Sequence, residues 1–163
     1  MELLFVDALE HKEEIADLLE EYTGLLVSLN PGFSKYLDQQ DFSHELEDPG
    51  LKYGHEGRLF VVLCDGEVAG CAGFKHLDAS SCELKRMYLR PAFRKKHLGT
   101  LMLEKCIKEA EEMGYENMYL DTLKVLESAI NLYRKHGFEE IRPYNSNPVK
   151  DDMLYFRRKL QES

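Results

Sequence analysis

Arg94-Lys95-Lys96-His97-Leu98-Gly99-Thr100 joins a strand-like run, Cys82 to Arg90, to a helix-like run that begins at Leu98. The first N–H groups of a helix have no partner within it, and the helix dipole places partial positive charge there. A basic loop with a glycine at that point is suited to an anion, and a pyrophosphate fits the description. Between Lys85 and Lys96 stand six Lys or Arg residues (Lys85, Arg86, Arg90, Arg94, Lys95, Lys96) and no acid. Many such runs are only a solvated face. Here the run coincides with a strand-to-helix junction, so it reads as a local patch for a small polyanion.

Working outward from the junction, Pro91 closes the strand and Gly114 caps a helix from Leu98 to Met113. Leu98, Met102, Cys106, Ala110 and Met113 share one face of that helix. Upstream, Leu3 to Val6 reads as a strand and His11 to Leu29 as a helix stopped by Asn30-Pro31-Gly32. A weaker helix spans Ser34 to Leu46 and ends at Asp48-Pro49-Gly50. Leu59 to Cys64 and Glu67 to Leu77 form a hairpin about Asp65-Gly66, with Gly70 and Gly73 thinning the second strand for close packing or a bulge. Downstream lie a strand from Asn117 to Thr122, a helix from Leu126 to His136, and strands from Phe138 to Arg142 and Met153 to Lys159. The order β-α-α-β-β-β-α-β-α-β-β predicts one mixed α/β domain, residues 1–163, around a central sheet.

The chain has 163 residues, 44% hydrophobic and 31% charged, with a net charge of −9. That length supports a proper core. The acidic balance excludes a nucleic-acid binder held by general electrostatics. Cys64, Cys71, Cys82 and Cys106 sit in apolar surroundings without zinc spacing, and His11, His44, His55 and His76 are scattered, so no metal site is read. No run approaches the ~20 apolar residues of a membrane helix, and no signal peptide is evident. A cytoplasmic protein with reduced thiols and no membrane partner is the expectation.

Over most of its length, and most strongly from Glu83 to Phe138, the sequence resembles a GNAT-type N-acetyltransferase. The family's Arg/Gln-x-x-Gly-x-Gly/Ala signature reads here as Arg94-Lys95-Lys96-His97-Leu98-Gly99, after a strand that ends Met87-Tyr88-Leu89-Arg90-Pro91. Its Ala-x-x-Leu-Tyr-x-x-x-Gly-Phe segment reads as Ala129 to Phe138. There are two departures. His97 replaces the usual first glycine, where it crowds a diphosphate, redirects the loop or donates a hydrogen bond. Leu126 replaces an asparagine that often reaches the cofactor. The resemblance implies a GNAT-like fold: a mostly antiparallel seven-stranded sheet, splayed between its fourth and fifth strands and flanked by about four helices. It implies acetyl-CoA as co-substrate, held by Arg94, Lys95, Lys96, His97, Leu98, Gly99 and Thr100 and by the strand Met87-Tyr88-Leu89. The backbone of Met87 and Leu89 would pair with the pantetheine arm as a strand does. Family members often form homodimers, although no stretch here declares an interface.

Acetyl transfer to an amine needs a base, an oxyanion donor and an acid. A lysine-like amine costs roughly 4.6 kcal/mol to deprotonate at pH 7, so a base within reach matters. Glu83 is the candidate, matching a base glutamate in the histone-acetylating branch; it equally reads as a surface carboxylate paired with Lys85 or Arg86. Strand alternation places Glu83, Lys85, Met87 and Leu89 on one face and Leu84, Arg86 and Tyr88 on the other. Tyr133 is the candidate acid by resemblance, and by packing alone it is a core tyrosine. The same resemblance makes the Leu89 N–H the oxyanion donor.

For the acceptor, a small-molecule amine, the candidates are Arg86, Asp121, Thr122 and Phe33, with the segment Tyr144-Asn145-Ser146-Asn147-Pro148. An arginine there would suit a carboxylated amine. Asp121 and Thr122 also read as strand-end hydrogen bonders. Two other readings remain at this stage: a non-catalytic acyl-CoA-binding or sensing module, and an acetyltransferase acting on a protein or peptide.

Overall fold

The computed structural model describes residues 1–160. Its strands are β1 (Leu3–Asp7), β2 (Arg58–Cys64), β3 (Glu67–Asp78), β4 (Ser81–Leu89), β5 (Asn117–Leu123), β6 (Glu139–Ile141) and β7 (Met153–Lys159). Its α-helices are α1 (Lys12–Leu29), α2 (Phe33–Gln39), α3 (Phe42–Glu47), α4 (Pro49–Tyr53), α5 (Leu98–Glu112) and α6 (Glu127–Lys135). The strands form one sheet in the order β1-β2-β3-β4-β5-β7-β6. Among the described residues only β4 and β5 pair in parallel; the other neighbours are antiparallel. None of the helices is long and apolar enough to cross a membrane among the described residues.

The helices cover both faces. Leu98, Met102, Leu103 and Cys106 of α5, with Ile130 and Tyr133 of α6, pack against Phe60, Phe74, Leu84 and Phe156. Ile15, Leu18 and Leu19 of α1 pack on the opposite face against Val61, Cys71 and Tyr88. All four cysteines are buried and free.

Among the described residues there are six α-helices where about four were expected. The helix expected over Ser34 to Leu46 is divided, because Asp41 adopts φ 59° and a left-handed residue interrupts the helical path. The Asp48-Pro49-Gly50 stop also starts α4: the Asp48 side chain accepts from the Gly50 N–H at 3.1 Å, and Pro49 occupies the first turn, where its missing N–H costs nothing.

The central pair opens. β4 and β5 pair only at Ser81/Asn117, Cys82/Met118 and Glu83/Tyr119, although each continues for several residues. Just past that point β4 carries a bulge, with Cys71 opposite Tyr88 but Gly73 opposite Lys85, so that Arg86 and Met87 face a single residue. Arg86 adopts φ 56° there. The bulge corrects the simple alternation. Lys85 and Arg86 both reach the α2–α3 side, whereas Met87 and Leu89 turn to the α5 side. Gly70 lets β3 approach at this place, since a Cβ on it would collide with the Tyr88 carbonyl oxygen.

Candidate functional site

The opening between β4 and β5 has two ends. At one, a cavity of about 590 Å³ lies between β4, α1 and α6. Met87, Leu89, Arg94, Gly99, Asp121 and Tyr133 line it, so residues far apart in sequence converge there; Tyr88 and Thr122 line it as well. At the other, a pocket of about 250 Å³ is lined by Tyr36, Lys75, Glu83, Lys85, Tyr144 and Asn145. A narrow space of about 30 Å³ adjoins both, sharing the lining residues Asp121, Thr122 and Tyr133 with the cavity and Tyr36, Gln40 and Lys85 with the pocket. Phe33 and Arg86 also line this neck.

The backbone of β4 is poised toward the cavity. The Arg90 N–H donates to the Ala69 carbonyl at 2.8 Å, which makes Arg90/Ala69 a bonded pair and Leu89/Gly70 a non-bonded one. Antiparallel pairing alternates, so the Leu89 N–H points away from β3, toward the opening. The Leu89 carbonyl accepts from Arg94 Nε at 3.0 Å, which ties the loop to the strand end.

The loop leads directly into α5. Lys95 and His97 adopt φ 68° and 59°, and the N–H groups of Lys95, Lys96 and His97 make no hydrogen bond among the described residues. Those of Leu98, Gly99 and Thr100 begin the helix and have no intrahelical acceptor. His97 takes the backbone conformation that a glycine would favour, its side chain is exposed, and it makes no capping bond. The loop path is thus kept without the glycine. A Cβ on Gly99 would meet only Leu132 Cδ2 at 3.5 Å and Met87 Cε at 3.9 Å. Protein packing does not require a glycine here, and a helix glycine costs ~1 kcal/mol against alanine. The bare backbone instead faces the cavity, as close approach by a ligand requires.

Tyr133 is buried, in edge contact with Phe138, and its hydroxyl makes no hydrogen bond among the described residues. Because it lines both cavity and neck, that hydroxyl is available to a ligand. Burial raises its pKa well above the ordinary phenol value, so it stays protonated.

Charged groups occupy the other side. Glu83 Oε2 accepts from the Tyr144 hydroxyl at 2.6 Å, while Oε1 faces Lys75 Nζ at 3.7 Å and Lys85 Nζ at 3.9 Å. Burial pushes its carboxyl up, but Lys85, the Tyr144 hydroxyl, Lys75 and Arg86 outweigh burial and hold it below the ordinary range. Burial lowers the Lys85 pKa, and Glu83 opposes that shift. Asp121 Oδ2 accepts from the Tyr36 hydroxyl and from Asn145 Nδ2, the latter at 3.0 Å. No described residue donates to its Oδ1. The Arg86 guanidinium is held along one edge: Nε and Nη2 each donate to Glu45 at 2.9 Å, and Nη2 donates to Gln40 Oε1 at 2.8 Å, while no described residue accepts from Nη1.

Tyr36, Gln40 and Glu45 were not singled out by the sequence, and Lys85 only as one of six cations in the basic run and as a partner for Glu83. A signal existed for Lys85: Glu83, Lys85 and Arg86 crowd one central strand, and charges buried there need partners or a function.

A sheet opened at its one parallel pair, with a cavity floored by strand backbone and bounded by an amide-rich helix start, defines an acyltransferase architecture. The family model described as acetyltransferase (GNAT) family matches residues 14–138, and the chain belongs to that family. An uncharacterized N-acetyltransferase of Schizosaccharomyces pombe is 33% identical over 147 residues, covering 88% of this chain and 90% of that protein. A GNAT-family acetyltransferase from Staphylococcus aureus has a TM-score of 0.72 at 21% identity, covering 98% of this chain and 99% of that one. The PaiA N-acetyltransferase of Thermoplasma acidophilum, in complex with coenzyme A, has a TM-score of 0.72 at 15% identity, covering 98% and 99%.

Proposed function

We propose that the protein transfers an acetyl group from acetyl-CoA to the primary amine of a small molecule. The observation that carries this reading is the adjacency of the cavity beside Leu89, the neck and the charged pocket, which share lining residues. The coenzyme A complex of the Thermoplasma relative, which shares the fold, supports it.

Acetyl-CoA supplies an activated thioester. The residues Arg94 to Thr100 hold the diphosphate, mainly through loop and helix amides, each such bond to a charged acceptor contributing roughly 1.5–3 kcal/mol. The backbone of Met87 and Leu89 receives the pantetheine arm. The Leu89 N–H donates to the thioester oxygen as negative charge grows on it. The amine nitrogen bonds to the acetyl carbonyl carbon, the carbon–sulfur bond breaks, and Tyr133 gives its proton to the leaving sulfur and regains one as the new amide nitrogen sheds its second proton.

Two carboxylates are available for the amine's proton. Glu83, the base expected from the strand, is ionised but has a low affinity for a proton. Asp121 borders both neck and cavity and keeps Oδ1 free of protein donors. In this reading Asp121 receives the ammonium group and takes its proton, directly or through one water, while Glu83 stays in the pocket wall.

The test is thiol release from acetyl-CoA across a panel of small primary amines, with product mass confirmed. Acetylation of at least one small amine is expected. Tight coenzyme A binding with no turnover on any amine would overturn the reading in favour of a non-catalytic acyl-CoA module. Turnover confined to peptides would favour a protein acceptor.

A further inference from the structure

Two cationic side chains beside the neck are more than nine-tenths buried, Lys85 and Arg86. Glu45 and Gln40 take up the Nε and Nη2 donors of Arg86. Lys85 has no such partner. Its ammonium makes no hydrogen bond among the described residues; Glu83 Oε1 is its closest carboxylate oxygen, at 3.9 Å, and the Tyr36 ring centroid is 5.9 Å away. That same Glu83 oxygen lies nearer to Lys75, at 3.7 Å. One carboxylate is therefore shared between two ammonium groups. An ammonium has three donors, and no buried side-chain nitrogen or oxygen lacks a partner among the described residues, so the Lys85 Nζ faces open space where water or a ligand supplies its acceptors. Lys85 opens into both the pocket and the neck, so a bound molecule can reach it.

The charge balance points the same way. The chain carries a net charge of −9, yet the ionisable amine and carboxyl groups lining the pocket are Lys52, Lys75 and Lys85 against Glu83 alone. An acidic protein has gathered cations around its acceptor pocket. The anion they suit is a monoanion: Lys85 is a single point charge, Arg86 has only its Nη1 donors unclaimed by the protein, and Glu83 and Asp121 would repel a second negative charge. A carboxylate meets these conditions better than a phosphate.

We propose that Lys85 anchors a carboxylate on the acceptor, so that the substrate is a small amino acid, with its amine directed through the neck to Asp121. This rests on the acetyltransferase reading above and narrows it to a zwitterion. The ligand's carboxylate supplies the acceptors that Lys85 lacks, and its ammonium meets the carboxylate that keeps one oxygen free. Lys85 is then a specificity residue, beside Arg86, whose Nε–Nη2 edge is committed to Glu45.

The test compares acceptors that differ only at the carboxylate, such as alanine, alaninamide and ethylamine, together with larger amino acids and their amides. The amino acids should exceed their amides in kcat/KM by roughly 10- to 150-fold, the range for one charged hydrogen bond. Lys85→Met should abolish that preference by raising KM for the acids, while coenzyme A affinity stays unchanged. Lys85→Arg, which keeps the charge, should retain part of the preference. Equal use of acids and amides by the wild-type protein would overturn the proposal, as would a Lys85→Met loss that falls equally on both. Should no amine be acetylated, N-acetylalanine and N-acetylalaninamide are compared as ligands of the wild-type protein with coenzyme A, by thermal shift and calorimetry. Preference for the acid would sustain the carboxylate site while the enzymatic reading fails; no preference would end both. The wild-type comparisons decide the matter even if Lys85→Met does not fold.

Discussion

The Glu45 carboxylate receives Arg86 Nε on one oxygen and Arg86 Nη2 on the other, both at 2.9 Å, with neither side chain appreciably exposed. The pair joins α3 to the bulge in β4 and holds Arg86 in its left-handed conformation at φ 56°. Lys52 Nζ adds a third bond to Glu45, at 2.6 Å. The helix pair α3–α4 is thus fastened to the strand at the point where the sheet opens.

Glu45→Gln should therefore destabilise the protein by roughly 3–5 kcal/mol, the usual cost of removing one partner from a buried ion pair. Urea unfolding measures it. Burial raises the Glu45 carboxyl, but Arg86 and Lys52 outweigh burial and lower it from 4.5 to about 2. A depressed carboxyl contributes stability that is present above its unfolded value and lost as the pH falls toward its folded value. The wild-type protein should lose stability between about pH 4.5 and 2, and Glu45→Gln should show a flatter profile there. Parallel profiles would show that the pair contributes nothing to acid stability.

Gly99→Ala separates packing from ligand approach. The added methyl meets ordinary contacts in the protein and gains helix propensity, so stability should rise by up to ~1 kcal/mol. Coenzyme A affinity should fall at least about tenfold, since the methyl projects where the ligand backbone must pass. A variant that is more stable and binds equally well would remove Gly99 from the cradle.

The loop and the two family segments were legible in the sequence because each is local: glycines, tyrosine and helix start lie at fixed spacing. The splay between the fourth and fifth strands was legible only by resemblance, and the end of pairing at Glu83/Tyr119 bears it out. The acceptor side was less legible. A bulge is a property of register between two strands, and nothing in Lys85-Arg86-Met87 announces that it reverses the alternation. Nor does Tyr36 declare that it will reach Asp121 across 85 residues. Such pairings exist only after the sheet closes.

Tyr133→Phe removes a hydroxyl that bonds to no described residue, so the fold should tolerate it. If that hydroxyl protonates the leaving sulfur, kcat should fall by about 10²-fold or more, with acceptor KM little changed. Stopped-flow thiol detection with matched thermal melts tests both halves. Unchanged turnover would retire the acid role and leave Tyr133 as a core residue.

The two carboxylates make opposite predictions. Asp121→Asn keeps the size of the side chain and an acceptor for Tyr36 and Asn145, but removes the charge facing the neck. It should lower kcat by about 10²-fold, most severely at low pH, where the free amine is scarcest. Glu83→Gln leaves an acceptor for the Tyr144 hydroxyl and frees Lys85 from its shared carboxylate. Its kcat should stay within about tenfold of wild type. Acceptor KM for an amino acid should stay level or fall, because the ligand no longer competes with Glu83 for Lys85. If Glu83→Gln proves the more damaging to kcat, the proton goes to Glu83 and Asp121 only positions the amine. The acid limb of the kcat/KM profile adds a second criterion: if Glu83 is the base, the limb of the wild-type profile that Glu83→Gln removes should lie below 4.5, the ordinary value beneath which this carboxyl is held.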